Sequence, residues 1–401
     1  MDDYLRRLSD GSLKLYALEK ELPAEEAVLV RRRFIEEETG VSLPKTGSFT
    51  INPEAVVKRN CENMIGAVQV PVGVAGPVLI SGEFATGSFY LPLATTEGAL
   101  VASVNRGCGL ITAAGGAEVR ILSDGMTRAP VFATRSVIHA REVVDFVHAH
   151  EDEIRQVAEA TTRHGKLTGI IATTAGTSVY VRFCFTTGDA MGMNMVTIAS
   201  EKAADLIATQ TGARLVALSG NFCTDKKPAA INVVLGRGKS VSAGVRISSE
   251  KVTRILKTDT ASLLEVNTRK NLIGSARAGS LGFNAHAANI VAAMFIACGQ
   301  DPAHVVEGSL CITTIDPTED GVYVSVTLPA LPVGTVGGGT GVDTQAECLQ
   351  LLGVSGGGDP PGSHAKKLAE IVATGVLAGE LSLLGAQAAQ HLARAHKELG
   401  R

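Results

Sequence analysis

Apolar and polar positions change period several times along the chain, and each change predicts an element. Through residues 1–48, Leu5, Leu8, Leu15, Tyr16 and Leu18 recur at helical spacing and lead into LVRRRFIEEETG. With Arg and Glu on the outer face, this predicts a peripheral helical region. From about 46 to 82 the pattern shortens to β-like pieces broken by turn residues, as in VQVPVGVAGPVLISG. ATTEGALVASVNRG then reads as a helix start, with Thr95 or Thr96 as cap and Leu100, Val101 and Val104 as the apolar stripe. Residues 131–217 carry a strand, a charged helix from Arg141 to Arg163, strands through TSVYVRFCF, a helix over 192–211 and a strand at RLVALSG. That β-α-β-β-α-β order predicts a ferredoxin-like insert. The last helical stretch, 363–398, is apolar most of the way round and holds Gly375, Gly379 and Gly385, which predicts a buried, closely packed helix. The chain is thus expected to be α+β: a helical region (1–48), a large mixed α/β domain in two parts (49–129 and 218–401), and the small insert (130–217) between them.

Composition narrows the classes. Hydrophobic residues make up 45% of 401 and charged residues 19%, which describes a folded chain with a sizeable core. The 44 glycines beside 4% aromatics point to tight turns and backbone approaching ligands. A net charge of −3 without a basic run argues against nucleic acid or an anionic membrane as partner. Seven scattered cysteines with no Cys-x-x-Cys argue against a disulfide framework or a zinc site and for a reducing compartment. The start, MDDYLRRLSDGSLKLY, lacks the apolar core of a signal peptide, and the apolar stretch Ala287 to Cys298 is too short for a bilayer. The expectation is a soluble, cytoplasmic protein.

Several stretches carry candidate chemistry, each with a plainer reading beside it. In SGNFCTDKKPAAINVV, Asp225, Lys226 and Lys227 lie between apolar flanks: a polar turn, or a charged site. No G-x-G-x-x-G occurs, so a Rossmann site has no support. GDAMGMNM follows a strand and opens a helix, where unpaired N–H groups favour phosphate and Asp189 could meet a ribose hydroxyl; a simple β-to-α turn is the alternative. GTVGGGTG is either a phosphate cradle or a connector. Glu97 reads as a helix-start acid, Asp301 in ACGQDPAH as a turn former, and His396 as a surface residue of the last helical turn. Taken together, two acids and a lysine in apolar settings form a potential cluster able to polarise a carbonyl and donate protons.

ENMIG, PVGVAGP, ATTEGALVASVNRG, DGMTRAP, GDAMGMNM, SGNFCTDKKPAAIN, RKNLIGSARAGSLGFNAHAANIVAAMFIACGQD, GTVGGGTG and VLAGELSLLGAQAAQHLARAH, in that order over about residues 50–398, resemble 3-hydroxy-3-methylglutaryl-CoA (HMG-CoA) reductase. The Asp-Lys-Lys form is similar to class I, found in eukaryotes and archaea. The resemblance implies a two-step, four-electron reduction of the acyl-CoA thioester to mevalonate with two NADPH and no metal. By their match to its motifs, Lys226 is the oxyanion donor, His396 protonates the departing CoA thiolate, Glu97 donates a proton in the second reduction, and Asp301 hydrogen-bonds and tunes both Lys226 and Glu97. A carboxyl donor there requires a raised pKa.

The same matching implies that Arg128, Ser219, Asp225, Lys227 and Lys270 hold the carboxylate and hydroxyl of HMG-CoA. Ser103, Asn105 and Arg106 fall near CoA and Asn289 against the thioester. Asp189, Met191, Gly192, Met193 and Asn194 form the nucleotide turn with Gly337 and Gly338 opposite, and Thr162 and Arg163 lie near the 2′-phosphate, favouring NADPH over NADH. ENMIG matches the family's dimer segment, so the resemblance implies a homo-oligomer whose active sites assemble between subunits. It further implies a form without the membrane region of animal and fungal relatives and, with Arg401 five residues past His396, without their regulatory serine. Three rivals are a CoA-thioester acyltransferase or lyase with a cysteine nucleophile, a mevalonate-oxidising NAD-dependent form, and a binding scaffold without activity.

Overall fold

The computed structural model describes the backbone of residues 1–399 and the side chains of residues 1–390. The described residues form ten strands: β1 (Val72–Ser81), β2 (Thr86–Ala94), β3 (Ala117–Arg128), β4 (Val131–Ala133), β5 (Lys166–Ala175), β6 (Ser178–Thr186), β7 (Arg214–Ala217), β8 (Gly238–Ser248), β9 (Ile312–Pro317) and β10 (Gly321–Leu331). They form one open sheet in the order β7-β4-β6-β3-β8-β10-β9, with β1 joining β2 and β3 and with β5 on the far side of β6. The fold is mixed α and β, as the periodicity predicts.

β3 joins the two halves of the sheet. Its first part pairs with β8 from Glu118 to Gly125, and its last three residues, Met126 to Arg128, pair with β6. Past it, β4, β5, β6 and β7 with their crossover helices reproduce the β-α-β-β-α-β order around a separate apolar core that includes Phe132, Phe183, Phe185 and Ile207. The single charged helix expected from Arg141 to Arg163 is instead two, Val137–Ala149 and Glu151–Glu159. His150 leaves helical geometry (φ −121°, ψ 28°), and three acids, Glu151, Asp152 and Glu153, favour a fresh N-terminus just after it.

The larger core lies between β1, β2, β3, β8 and β10 and the helices Leu100–Ala114, Ala287–Ala297 and Ser363–Leu399. The last of these contains a span, Ser363–Gln390, long and apolar enough to cross a membrane, but 94% of its most apolar window is buried inside the fold. It is a core helix, and small residues let its neighbours approach. A Cβ on Gly107 would meet the Ala378 carbonyl oxygen at 1.9 Å, so the Leu100–Ala114 helix packs backbone to backbone against it.

Two buried acids on this helix serve the fold. Glu370 accepts the backbone N–H groups of Glu83, Phe84 and Ala85. Glu380 accepts those of Ala285 and His286 and the hydroxyl of Thr313, fixing the entry to the Ala287–Ala297 helix. Buried carboxylates persist where several donors satisfy them.

Candidate active site

The loop between β7 and the Ala230–Leu235 helix carries Asp225, Lys226 and Lys227. It is seated beside Arg128 by two contacts: Gly220 donates its N–H to the Ala129 carbonyl (2.7 Å), and Thr127 donates its hydroxyl to the Cys223 carbonyl (3.4 Å). The Lys226 ammonium pairs with Asp301 at 2.8 Å. That hydrogen bond to Asp301 raises the lysine pKa, so the group is a fixed cation at neutral pH. Burial opposes ionisation of Asp301, but Lys226 and the Ala303 N–H hold its carboxyl below the usual range. Among the described residues Lys227 bonds the Asp225 carbonyl (3.1 Å), and Ser219 meets the Cys223 sulfur (3.3 Å). The polar turn of the plainer reading is therefore a constrained charged loop.

Behind it lies a cluster that sequence reasoning missed. Asp225 accepts from Arg237 (2.9 Å) and from His304 (3.0 Å), and Arg237 also pairs with Glu307 (2.5 Å). Burial works against the Asp225 carboxylate, yet His304 and Arg237 push its pKa far below the ordinary value. The available signal was the spacing in DPAHVVEG, where an acid, a histidine and an acid follow one another three residues apart.

Linkage gives this a measurable consequence. A carboxyl with a depressed folded pKa adds stability above its unfolded value of 3.8, and that stability is lost as pH falls below it. Wild-type Tm should drop as pH falls from about 5 to about 2, most steeply below the unfolded value, and Asp225→Asn should start lower at neutral pH but decline less steeply. Calorimetric scans across that range check this; parallel declines would remove Asp225 as the source.

Asp301 also faces a cleft of about 680 Å³, lined by Met191–Met195, Gly299–Pro302, Gly334 and Val336–Thr340. Gly192, at φ 96°, precedes the Met193–Thr211 helix, and a Cβ there would collide with Thr187. The two glycine-bearing loops meet through an isolated bridge, Ala190 with Val336, and Gln300 of the Asp301 loop accepts the Gly334 N–H (2.9 Å). Gly337 and Gly338 have open space above them. Thr162 bonds the sulfur of Met195 (3.1 Å) at the cleft's edge, and Arg163 is exposed without an ion pair among the described residues.

Asp189 needs a correction. Its carboxylate accepts the N–H groups of Gly358 (2.9 Å), Gly362 (2.8 Å) and Ala365 (3.0 Å) and does not line the cleft. Burial is overcome by these three bonds, which lower its pKa. It anchors the start of the final helix.

Gly299 has φ 65°, and a Cβ there would stand 2.3 Å from the Gly339 carbonyl oxygen. Gly299→Ala should therefore separate the Asp301 loop from the glycine-rich loop, costing about 1–3 kcal/mol of stability and about tenfold or more in kcat/KM for nucleotide. Denaturant unfolding and nucleotide kinetics together test it; unchanged values for both would mean that the loops do not need this contact.

A second group sits apart. Glu97 is not in the first turn of a helix: that helix starts at Leu100, Ala99 precedes it at φ 67°, and Thr95 spends its hydroxyl on the Glu97 N–H (3.0 Å). The Asn289 amide donates to Glu97 (3.3 Å) and contacts His286 Nδ1 (3.3 Å), while His286 Nε2 meets the Gly379 carbonyl (2.8 Å). A carbonyl only accepts, so His286 carries its proton on Nε2 and leaves Nδ1 to accept from Asn289. His286 was another residue missed from sequence. Lys270 lies in the π-helical turn Asn267–Gly274, bonds Asn271 (3.3 Å), and lines a cleft with Gln387 and Gln390 of the final helix. Ser103 and Arg106 bind Ser382 of that helix, and Asn105 accepts the Gly76 N–H (2.9 Å), so all three are engaged within the fold.

The expected Glu97–Lys226–Asp301 cluster does not form within one chain. Among the described residues, Asp301 bonds Lys226 but not Glu97, because Glu97 leaves β2 on the side of the Ala287–Ala297 helix. The side chain of His396 lies outside the described ones. Burial raises the pKa of Cys311, Cys298 and Cys108, the last to about 12, which argues against these three of the seven cysteines as nucleophiles.

Comparison with known proteins identifies the family. The chain is 55% identical over 402 residues to 3-hydroxy-3-methylglutaryl-coenzyme A reductase of Methanothermobacter thermautotrophicus, covering 100% of this chain and 99% of that one. It is 54% identical to that of Haloferax volcanii (98% of each) and 45% identical to reductase 1 of Arabidopsis thaliana (100% of this chain, 68% of that one). Its fold is similar to that of the class II reductase of Streptococcus pneumoniae bound to NADPH in open conformations, at TM-score 0.65 and 18% identity over 94% of this chain and 100% of that one. The family model for hydroxymethylglutaryl-coenzyme A reductase matches residues 27–401, and with it the chain belongs to that family.

Proposed function

We propose that this chain reduces HMG-CoA to mevalonate and free CoA with two NADPH, in a site completed by two copies of the chain. The observation that carries the reading is the Lys226–Asp301 pair at the mouth of the glycine-walled cleft. Hydride delivered from that cleft to a thioester carbon would leave negative charge on its oxygen, and the Lys226 ammonium is the donor for it. Collapse of the hemithioacetal breaks the C–S bond, and His396 supplies the thiolate with a proton. The second hydride reaches the aldehyde carbon with Lys226 again on the oxygen, and Glu97 gives the alcohol its proton. Overall, one thioester, two NADPH and two protons become mevalonate, CoA and two NADP⁺.

Arg128, Lys227 and Lys270 offer cations and Ser219 a hydroxyl for the substrate carboxylate, and Asp225 offers an acceptor for the tertiary alcohol. Met191, Gly192, Met193, Asn194, Gly337 and Gly338 would cradle the nucleotide in residues 130–217 and the loop opposite, with the exposed Arg163 free for a 2′-phosphate. Dimerisation would bring Glu97 and Asn289 of one copy to Lys226 and Asp301 of the other. Seven free thiols suit a reducing cytoplasm.

The test is HMG-CoA-dependent oxidation of NADPH by purified protein, with free thiol counted and NADH run in parallel. Two nucleotides oxidised per thiol is the expected result. Thiol release without nucleotide oxidation would replace this reading with acyl transfer.

A further inference from the structure

Arg237 joins three segments of the site. Its guanidinium is fully buried and reaches Glu307, Asp225 and the sulfur of Met193 (2.9 Å). Met193 lines the cleft at the start of the Met193–Thr211 helix, Asp225 belongs to the lysine loop, and Glu307 to the segment that starts at Asp301. Glu307, also fully buried, accepts the backbone N–H of Lys226 itself (3.2 Å). Asp225, His304 and Glu307 place ligand atoms within 4.8 Å of one another. The guanidinium between the two acids supplies the positive charge that such a set requires.

The loop so held is one that resists its own geometry. Asn221, Thr224 and Lys226 all have φ between 51° and 61°, in the left-handed region. Such positions cost about 1–3 kcal/mol each for residues other than glycine, and a β-branched threonine tolerates them least. The Asn232 amide on the Thr224 carbonyl (3.2 Å), with Glu307 on the Lys226 N–H, holds this shape.

We propose that Arg237, with Glu307 as its buried counter-ion, is a positioning residue that sets the Lys226 ammonium in register with the nucleotide turn. The inference rests on the function proposed above. Lys226 and Met193 come from different parts of the fold, and Arg237 touches the second directly and the first through Asp225 and Glu307. A carbonyl held by Lys226 then stands at a fixed distance from the hydride donor, where a displacement of about 1 Å can cost about a hundredfold in rate.

A merely structural ion pair behaves differently, because a buried pair can be replaced on both sides by neutral residues with little loss of stability. The experiment compares Arg237→Met, Glu307→Gln, the double variant and Arg237→Lys by Tm and by kcat and KM with HMG-CoA and NADPH. Each single neutral variant should lose Tm, and the double should regain part of it, since among the described residues Asp225 keeps only His304 as partner. Its kcat should stay about ten- to a hundredfold below wild type, with KM for HMG-CoA changed far less. Arg237→Lys keeps the charge but not the fork, and should show the same kcat loss in a folded protein. A double variant with wild-type kcat, or a folded Arg237→Lys with wild-type kcat, overturns the inference; the latter decides it even where the double does not fold. Wild-type protein that fails to oxidise NADPH with HMG-CoA overturns the functional reading, and this inference with it.

Discussion

Lys226→Ala should lower kcat by at least about a hundredfold, while HMG-CoA and NADPH still bind within a few-fold of wild type. The lysine is the cation at the cleft mouth that pairs with Asp301, and the charge it would meet appears only after hydride transfer. Its loss therefore removes an interaction of the transition state more than one of the ground state. Removing it also leaves Asp301 without its partner, so the Asp301 pKa should rise toward the ordinary range. Lys226→Arg is the sharper variant: it keeps a charge, but the planar fork cannot occupy a point donor's place at φ 56° without shifting the loop. Steady-state kinetics and nucleotide titration check both. An alanine variant with near-wild-type kcat would mean that another donor holds the oxyanion.

Mixing two inactive proteins should restore activity. Glu97→Gln and Lys226→Ala should each be inactive alone, since each removes one half of the proposed site from every copy. Glu97 bonds Asn289 in one group and Lys226 bonds Asp301 in another, so a site shared between subunits takes one group from each. After subunit exchange at equal amounts, half the dimers are mixed, and each mixed dimer has one intact site and one doubly altered site. About a quarter of wild-type activity should return. No return after demonstrated exchange would place both groups in one chain's own site and would demand a loop movement to join them.

Much of the path to these predictions can be read directly in the chain. The glycines and apolar circumference of the final helix mark it as buried, and its span Ser363–Gln390 is. The β-α-β-β-α-β order of 131–217 is visible in the alternation of VYVRFCF and the helices around it. Where the reading missed, the cause is identifiable. Thr95 looked like a helix cap because hydroxyls prefer that place, but the chain turns through Ala99 first and the hydroxyl serves Glu97 instead. Asp189 looked free for a ribose because it stands in a glycine turn. Its three donors come from 358–365, about 170 residues on, and no local pattern announces them.

The sequence by itself determined the fold class, the family and the residue types able to polarise a thioester. Periodicity and motif chemistry are properties of neighbours along the chain, so they are legible before folding. Only the tertiary structure decided which charge meets which. Arg237 finds Glu307 across 70 positions, Glu380 fastens the helix of Asn289, and Glu97 and Lys226 are divided between two groups. A buried carboxylate or guanidinium must pair with whatever the packed core brings within about 3 Å, and that distance is set by the fold rather than by spacing along the chain.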